Sequence, residues 1–372
     1  MPGRAEAYRV FFGLAALWAA LSVPLWHWGI AAHVTLHWHL SEMVLGFVAA
    51  LIAGYALSAC AAWSGRAPLR GGVVHVLALI WLCARAAALV AHPLSELVAR
   101  GLNAAVFAII AGLVLREWQH GGRSAVVPPL VIVVCLLLAA AALFVRNMPP
   151  RMVLVPVWLV IAIGCRMLAA FLQAVADRAS MPHFQPRWRL RHAALITLGA
   201  AFLFWDNGPP MIVSALLLGT ALSLAGFMAS LHLRLVRGDT LLLMMSIALG
   251  FIPAGLIIHA LAFAEWTWNW LGTSGAFHVI AIGGLGGMGI AVMSRASALR
   301  CPGHLKARRC AVAGFFCVAM AALLRMSGAL VPALACWSFG WCLVLVAHMQ
   351  ACRLPVPHPV FSTTSGSADR PQ

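Results

Sequence analysis

Carboxylates are scarce in this sequence: Asp and Glu together number nine in 372 residues, against twenty-five Lys and Arg, and charged residues of both signs make up 9%. Soluble globular domains carry roughly a quarter charged residues, so a chain this poor in charge cannot cover an ordinary aqueous surface. Several catalytic signatures are missing as well. The sequence has no GxxxxGK[ST] phosphate loop, no GxSxG, no HExxH and no CxxCH, which excludes hydrolases and kinases of the soluble types and covalent haem attachment. Cysteine adds little. Of ten, Cys60, Cys83, Cys135, Cys165, Cys317, Cys336 and Cys342 lie in apolar runs, where a small buried thiol is the default. Cys301, His304 and Cys310 sit together on the basic side, but their spacing fits no zinc signature.

What fills the chain instead is apolar sequence, 63% hydrophobic with a mean hydropathy of +0.95. Apolar runs fall near 10–28, 40–62, 72–91, 97–115, 125–145, 152–175, 191–205, 211–233, 240–264, 274–294, 310–330 and 332–351. Each approximates the 17–25 residues that a bilayer requires, the seventh being the short one. The pattern predicts an all-α fold, a polytopic membrane helix bundle of about twelve transmembrane helices. It forms a single transmembrane domain over residues 1–352, followed by a disordered cytoplasmic tail at 353–372 rich in Pro, Ser, Thr and Gly. The start resembles a signal peptide but lacks a small-x-small cleavage site, and is read as a retained first helix. The lipid bilayer is thus the first partner. The net charge of +16 would suggest nucleic acid in a soluble protein, but most of these cations sit in short loops and act on topology.

Alternate connections carry Arg4 and Arg9, Arg66 and Arg70, Arg116 and Arg123, Arg178 with Arg187, Arg189 and Arg191, and Arg234 with Arg237. Arg300, Lys306, Arg308, Arg309, Arg353 and Arg370 complete a set of eighteen, against Arg100, Arg146 and Arg151 in the other set. Positive residues stay inside, so both termini are expected in the cytoplasm. The outer loops are aromatic, with Trp26, Trp28, Trp205 and the run Trp266 to Trp270.

Four cations, Arg85, Arg166, Arg295 and Arg325, fall inside or at the edge of spans, and Glu42 is the carboxylate plausibly among them. A charge at membrane depth costs about 2.5–3.5 kcal/mol on insertion scales and persists where it faces a partner or a wet cavity. Arg85 and Arg325 count to the outer half of their spans, close in depth to Glu42, so an anionic cofactor with carboxylates on that side would supply the missing charge. Six of fifteen histidines lie on the same side: His27, His33, His37 and His39 in or beside the first outer loop, His259 at the end of span nine and His278 at the start of span ten. Neutral imidazoles at matched depth can hold a transition metal. Glu42, three residues after His39, has two readings: it orients that ring, or it pairs with Arg85. The run from Gly283 to Gly289 also has two. Five of its seven residues are glycine, which either bares a helix face for a flat ligand or lets helices pack closely through Gly283 and Gly287.

Tyr8-Arg9-Val10-Phe11-Phe12, Trp38-His39-Leu40-Ser41-Glu42-Met43-Val44-Leu45-Gly46-Phe47, Trp63 to Gly71, Trp81-Leu82-Cys83-Ala84-Arg85 and His278 to Arg295 resemble, in this order, the sequence of the NnrS family. That resemblance implies a twelve-helix inner-membrane protein containing haem and copper and linked to nitric oxide and nitrosative stress. If such a cofactor binds, His39 and His278, each at an outer helix end and in a matching stretch, are expected as axial ligands of a b-type haem, with His259 in reserve at the same depth. Arg85 and Arg325 would face the propionates, Glu42 would lie nearby, and Gly283 and Gly287 would lie under the macrocycle. The chain also departs from the family pattern. Ser41 replaces a histidine of span two, and Ala248 one of span nine. Arg300 stands where a histidine follows span ten, and Asn103 where span four has an acid. Span six keeps Gly164-Cys165-Arg166 in place of Gly-Gly-Arg. Copper loses most by these changes. A cofactor-free transporter or membrane scaffold, its polar residues lining a path, is the alternative reading. Catalytic turnover is not claimed in either.

Overall fold

A computed structural model describes residues 6–29, 34–66, 68–122, 125–145, 147–264, 273–301, 304–354 and 360. Twelve helices among these follow the twelve apolar runs in order: α1 Ala7–His27, α2 Leu36–Ser64, α3 Gly72–Ala88, α4 Pro93–His120, α5 Val127–Phe144 and α6 Leu154–Arg178. They continue as α7 Trp188–Phe204, α8 Pro210–Ala229, α9 Thr240–Phe263, α10 Ser274–Ala296, α11 Arg309–Met326 and α12 Leu330–Cys352. Ten are long and apolar enough to cross a membrane, while α3 and α7 have 17 residues each. The chain is therefore a polytopic all-α membrane protein. In hydrocarbon every backbone amide must be satisfied within its own segment, and that requirement turns each long apolar run into a helix.

Local signals set the helix ends. Thr35 Oγ1 accepts from the Trp38 amide, His92 Nδ1 accepts from Leu94 beside Pro93, and Asp239 Oδ1 accepts from both Leu241 and Leu242, relieving amides that lack a partner in a first turn. A short antiparallel hairpin, β1 Leu299–Cys301 with β2 His304–Lys306, joins α10 to α11. It places Arg300 and Lys306 on a rigid connector that apolar run counting does not reveal.

Two helices contain a π-helical segment, Glu42–Phe47 within α2 and Val279–Gly286 within α10. Such wide turns insert an extra residue into the helical register and recur at functional positions.

By contacts the described chain forms two compact units, one of residues 1–155, 345–362 and 366–372, the other of residues 156–344 and 363–365. The first buries Phe11, Phe12, Leu57, Trp81 and Phe107; the second buries Phe227, Phe315 and Trp341. Many other large apolar side chains lie outside, with Leu203 75% and Ile196 71% exposed on α7, as a lipid-facing surface requires and an aqueous one does not tolerate in quantity. The tail beyond 354, apart from residue 360, and the run Trp266 to Trp270 lie outside the described residues.

Candidate functional site

In the first unit the polar residues of α2, α3 and α4 converge. Glu42 opens the π segment of α2, and its Oε2 accepts from Arg85 Nη1 of α3 at 2.5 Å, with 2% and 3% of the two side chains exposed. The other arm of the guanidinium, Nη2, donates to Asn103 Oδ1 of α4. Trp81, one helical turn before Arg85, sets its ring centroid 5.4 Å from the guanidinium carbon and donates from Nε1 to the Gly46 carbonyl at 3.0 Å. Gly46 is the close-approach position here: a Cβ on it would stand 2.2 Å from Arg85 Nη1. One cation thus meets one carboxylate, one amide oxygen and an indole face, all out of water. Of the two readings of Glu42, the pair with Arg85 is the one the geometry makes. Within the protein the Arg85 charge is already matched by Glu42. Asn103 explains why one carboxylate suffices, since an acid there would leave the cluster negative. His39 lies one turn before Glu42 on α2, and its ring stacks on Trp26 with centroids 4.4 Å apart and planes 24° apart.

In the second unit, His278 closes the first turns of α10 immediately before the π segment. Its Nδ1 lies 2.6 Å from the Ser274 carbonyl. A carbonyl oxygen can only accept, so Nδ1 carries the proton and Nε2 keeps its lone pair. Arg325 of α11 donates from Nη2 to Ser274 Oγ at 3.3 Å, bringing a cation to the same turn. His259 of α9 is 1% exposed; its ring stacks on Trp205 with centroids 5.1 Å apart and planes 15° apart, and meets Phe277 at 4.4 Å. His259, His278 and Arg325 therefore gather at one end of this unit, linked through Phe277 and Ser274. His39 belongs to the other unit.

Of the two readings of the glycine run of α10, the contacts bear on close packing. A Cβ on Gly283 would stand 2.4 Å from Phe251 Cγ, and one on Gly287 would meet Ala248 at 3.2 Å and Phe315 at 3.4 Å. Both glycines are occupied in seating α10 against side chains of α9 and α11, so close helix packing, not a bare face for a macrocycle, accounts for them. Ala248, where a family histidine is absent, is the residue that fills the space over Gly287.

Among the described residues no group of three or more His, Cys, Asp and Glu side chains could hold a metal ion, so the donors present do not make a copper site. His33 lies outside the described residues, and His37 is exposed. A haem needs fewer protein donors, one or two axial imidazoles with cations for its carboxylates. The unprotonated Nε2 of His278 beside Arg325 fits that need.

Sequence reading missed three features. The π turns change helical register without changing composition, so no pattern reports them. The ring partners of His39 and His259, namely Trp26 and Trp205, were visible as loop aromatics but read only as an interfacial belt. Asn103 as a ligand of Arg85 was foreshadowed only by its departure from an acidic position.

A family model described as NnrS protein matches residues 2–353, and the chain belongs to that family. No curated protein matches the chain.

Proposed function

Since the chain belongs to the NnrS family, we propose that it is an NnrS-like inner-membrane protein of the response to nitric oxide, and that it works as a haem protein with His278 as an iron ligand. The hydrogen bond from His278 Nδ1 to the Ser274 carbonyl carries the haem reading. It fixes the tautomer and orientation of the ring, as the outer partner of a metal-ligating histidine does. Arg325, held on the same serine, would supply a cation for a propionate. When bound, haem supplies an iron whose open or exchangeable position takes up a small diatomic gas. The protein's own contribution is the oriented imidazole, the nearby guanidinium and an apolar, aromatic surround from Trp205 and Phe277 that keeps water away. Copper forms no part of this reading.

Absorbance of the purified full-length chain tests it. A Soret band that shifts on reduction and on addition of nitric oxide is expected, and His278→Ala should remove it. The same measurement on His39→Ala and His259→Ala identifies the other axial donor, while His232→Ala, exposed on the basic side, should leave the band unchanged. A full Soret band in His278→Ala would refute the assignment, and absence of haem from the wild-type chain grown with excess haem precursor would leave the transporter or scaffold reading in its place.

A further inference from the structure

Ser274, in the first turn of α10, joins the two groups on which the proposed haem site rests. Its backbone carbonyl accepts from His278 Nδ1 at 2.6 Å, and its hydroxyl oxygen accepts from Arg325 Nη2 at 3.3 Å. Helical side chains lean back toward the N-terminus and residues four apart share a face, so the His278 ring lies over the turn that Ser274 opens. A carbonyl oxygen has two lone pairs and can take the ring in addition to a helical amide. Imidazole and guanidinium thus meet one residue through two different atoms.

The neighbouring helix supplies the second of these contacts. Arg325 stands in the last turn of α11, and that turn lies against the first turn of α10: a Cβ on Gly275 would be 3.8 Å from the Met326 carbonyl oxygen, an ordinary packing distance. No carboxylate pairs with Arg325 among the described residues. A neutral hydroxyl therefore fixes the direction of the guanidinium without neutralising its charge, which also acts on the His278 ring. Ser274 is exposed and Arg325 half-exposed, so the charge and the hydroxyl that aims it both reach the surface of this unit.

We propose that Ser274 is a positioning residue that sets the reduction potential of a haem held by His278, a role that rests on the function proposed above. Its two bonds act in opposite directions. The carbonyl, by accepting from Nδ1–H, makes the imidazole a stronger electron donor and favours ferric iron, as the outer partner of a ligating histidine does. The hydroxyl keeps the Arg325 cation on the same turn as the ring, and a fixed positive charge nearby favours the ferrous state, which carries one positive charge fewer. Substitution can remove the hydroxyl and leave the carbonyl. The two influences are therefore separable within one residue.

Redox titration of the Soret band of the full-length chain in lipid nanodiscs tests this. Ser274→Ala keeps the carbonyl bond and should retain the band, while its ferric-to-ferrous ratio at a fixed applied potential rises several-fold, up to about tenfold, which is a midpoint about 59 mV lower for one electron. Arg325→Gln should lower the midpoint by at least as much. Adding Ser274→Ala to Arg325→Gln should change nothing further, because the hydroxyl then has no charge to aim. Ser274→Thr, which keeps a hydroxyl, should titrate with the wild type. A Ser274→Ala midpoint equal to or above that of the wild type would overturn this role alone, as would a shift of the same size in the Arg325→Gln background or in Ser274→Thr. A wild-type chain without a Soret band would overturn the function proposed above, and this role with it.

Discussion

Replacing Glu42 by Gln keeps the shape of the side chain and removes its charge, leaving Arg85, 3% exposed, with neutral partners alone: the new amide, the Asn103 oxygen and the indoles of Trp18 and Trp81. A buried pair contributes little in comparison with a well-packed apolar pair, but a buried charge left alone costs about 3–5 kcal/mol. Glu42→Gln should therefore lower the unfolding free energy by about that amount, a fall of roughly two orders of magnitude or more in the folded-to-unfolded ratio. Arg85→Met alone should cost less, because Glu42, left without its cation, can take up a proton and then, neutral, donate a hydrogen bond. The double variant Glu42→Gln with Arg85→Met should regain most of the loss, since no charge remains to strand. Reversible unfolding in mixed micelles, followed by the fluorescence of the fifteen tryptophans, measures all four corners of the cycle. Gly46→Ala supplies an independent route to the same result, for its methyl group would stand 2.2 Å from Arg85 Nη1 and push the guanidinium off Glu42. If Glu42→Gln lies within about 1 kcal/mol of the wild type, or the double variant is less stable than Glu42→Gln alone, the claim that this pair is mutually neutralised and sealed from water fails.

Two further outcomes follow from packing and charge. Gly283→Leu should destabilise the second unit by about 1–3 kcal/mol or more, because even its Cβ would fall 2.4 Å from the Phe251 ring; Phe251→Ala in the same chain should relieve the clash, and an unaltered unfolding midpoint in Gly283→Leu would show that α10 does not sit where described. For topology, reporters inserted beside Arg189 and after Leu354 should both report the cytoplasm, whereas one beside Arg146 should report the opposite side, as the bias in loop cations requires. A reporter beside Arg189 reading outside would invert every depth assigned above.

Apolar length was the most legible part of this chain, because the bilayer leaves helices as the one way to satisfy a long lipid-exposed backbone. Even the short seventh run became a helix. Chemistry was legible where composition left few options. Glu42 was the carboxylate within a span, and counting depth from span ends put Arg85 near it, so the pair that forms was one of two on the page. The direction in which a glycine face points was not legible, for Gly283 and Gly287 carry no side chain to declare a partner. Their roles were decided by Phe251 on α9 and Phe315 on α11, far away in sequence. Nor could periodicity report π turns, which move His39 and His278 in register relative to the rest of their helices without altering a residue. Arg191 shows the limit of depth counting. Counted as a loop cation, it lies inside α7, and its guanidinium meets α6 at Ala162, about 13 Å further from the basic end of α6 than the level that Arg295 reaches at Phe171. Counting from span ends presumes that every helix ends at the same interface. A residue assigned to the loop by charge can thus be a buried polar group by position, as Arg191 is, with the Ala162 carbonyl, the His192 ring and the Trp188 face as its partners.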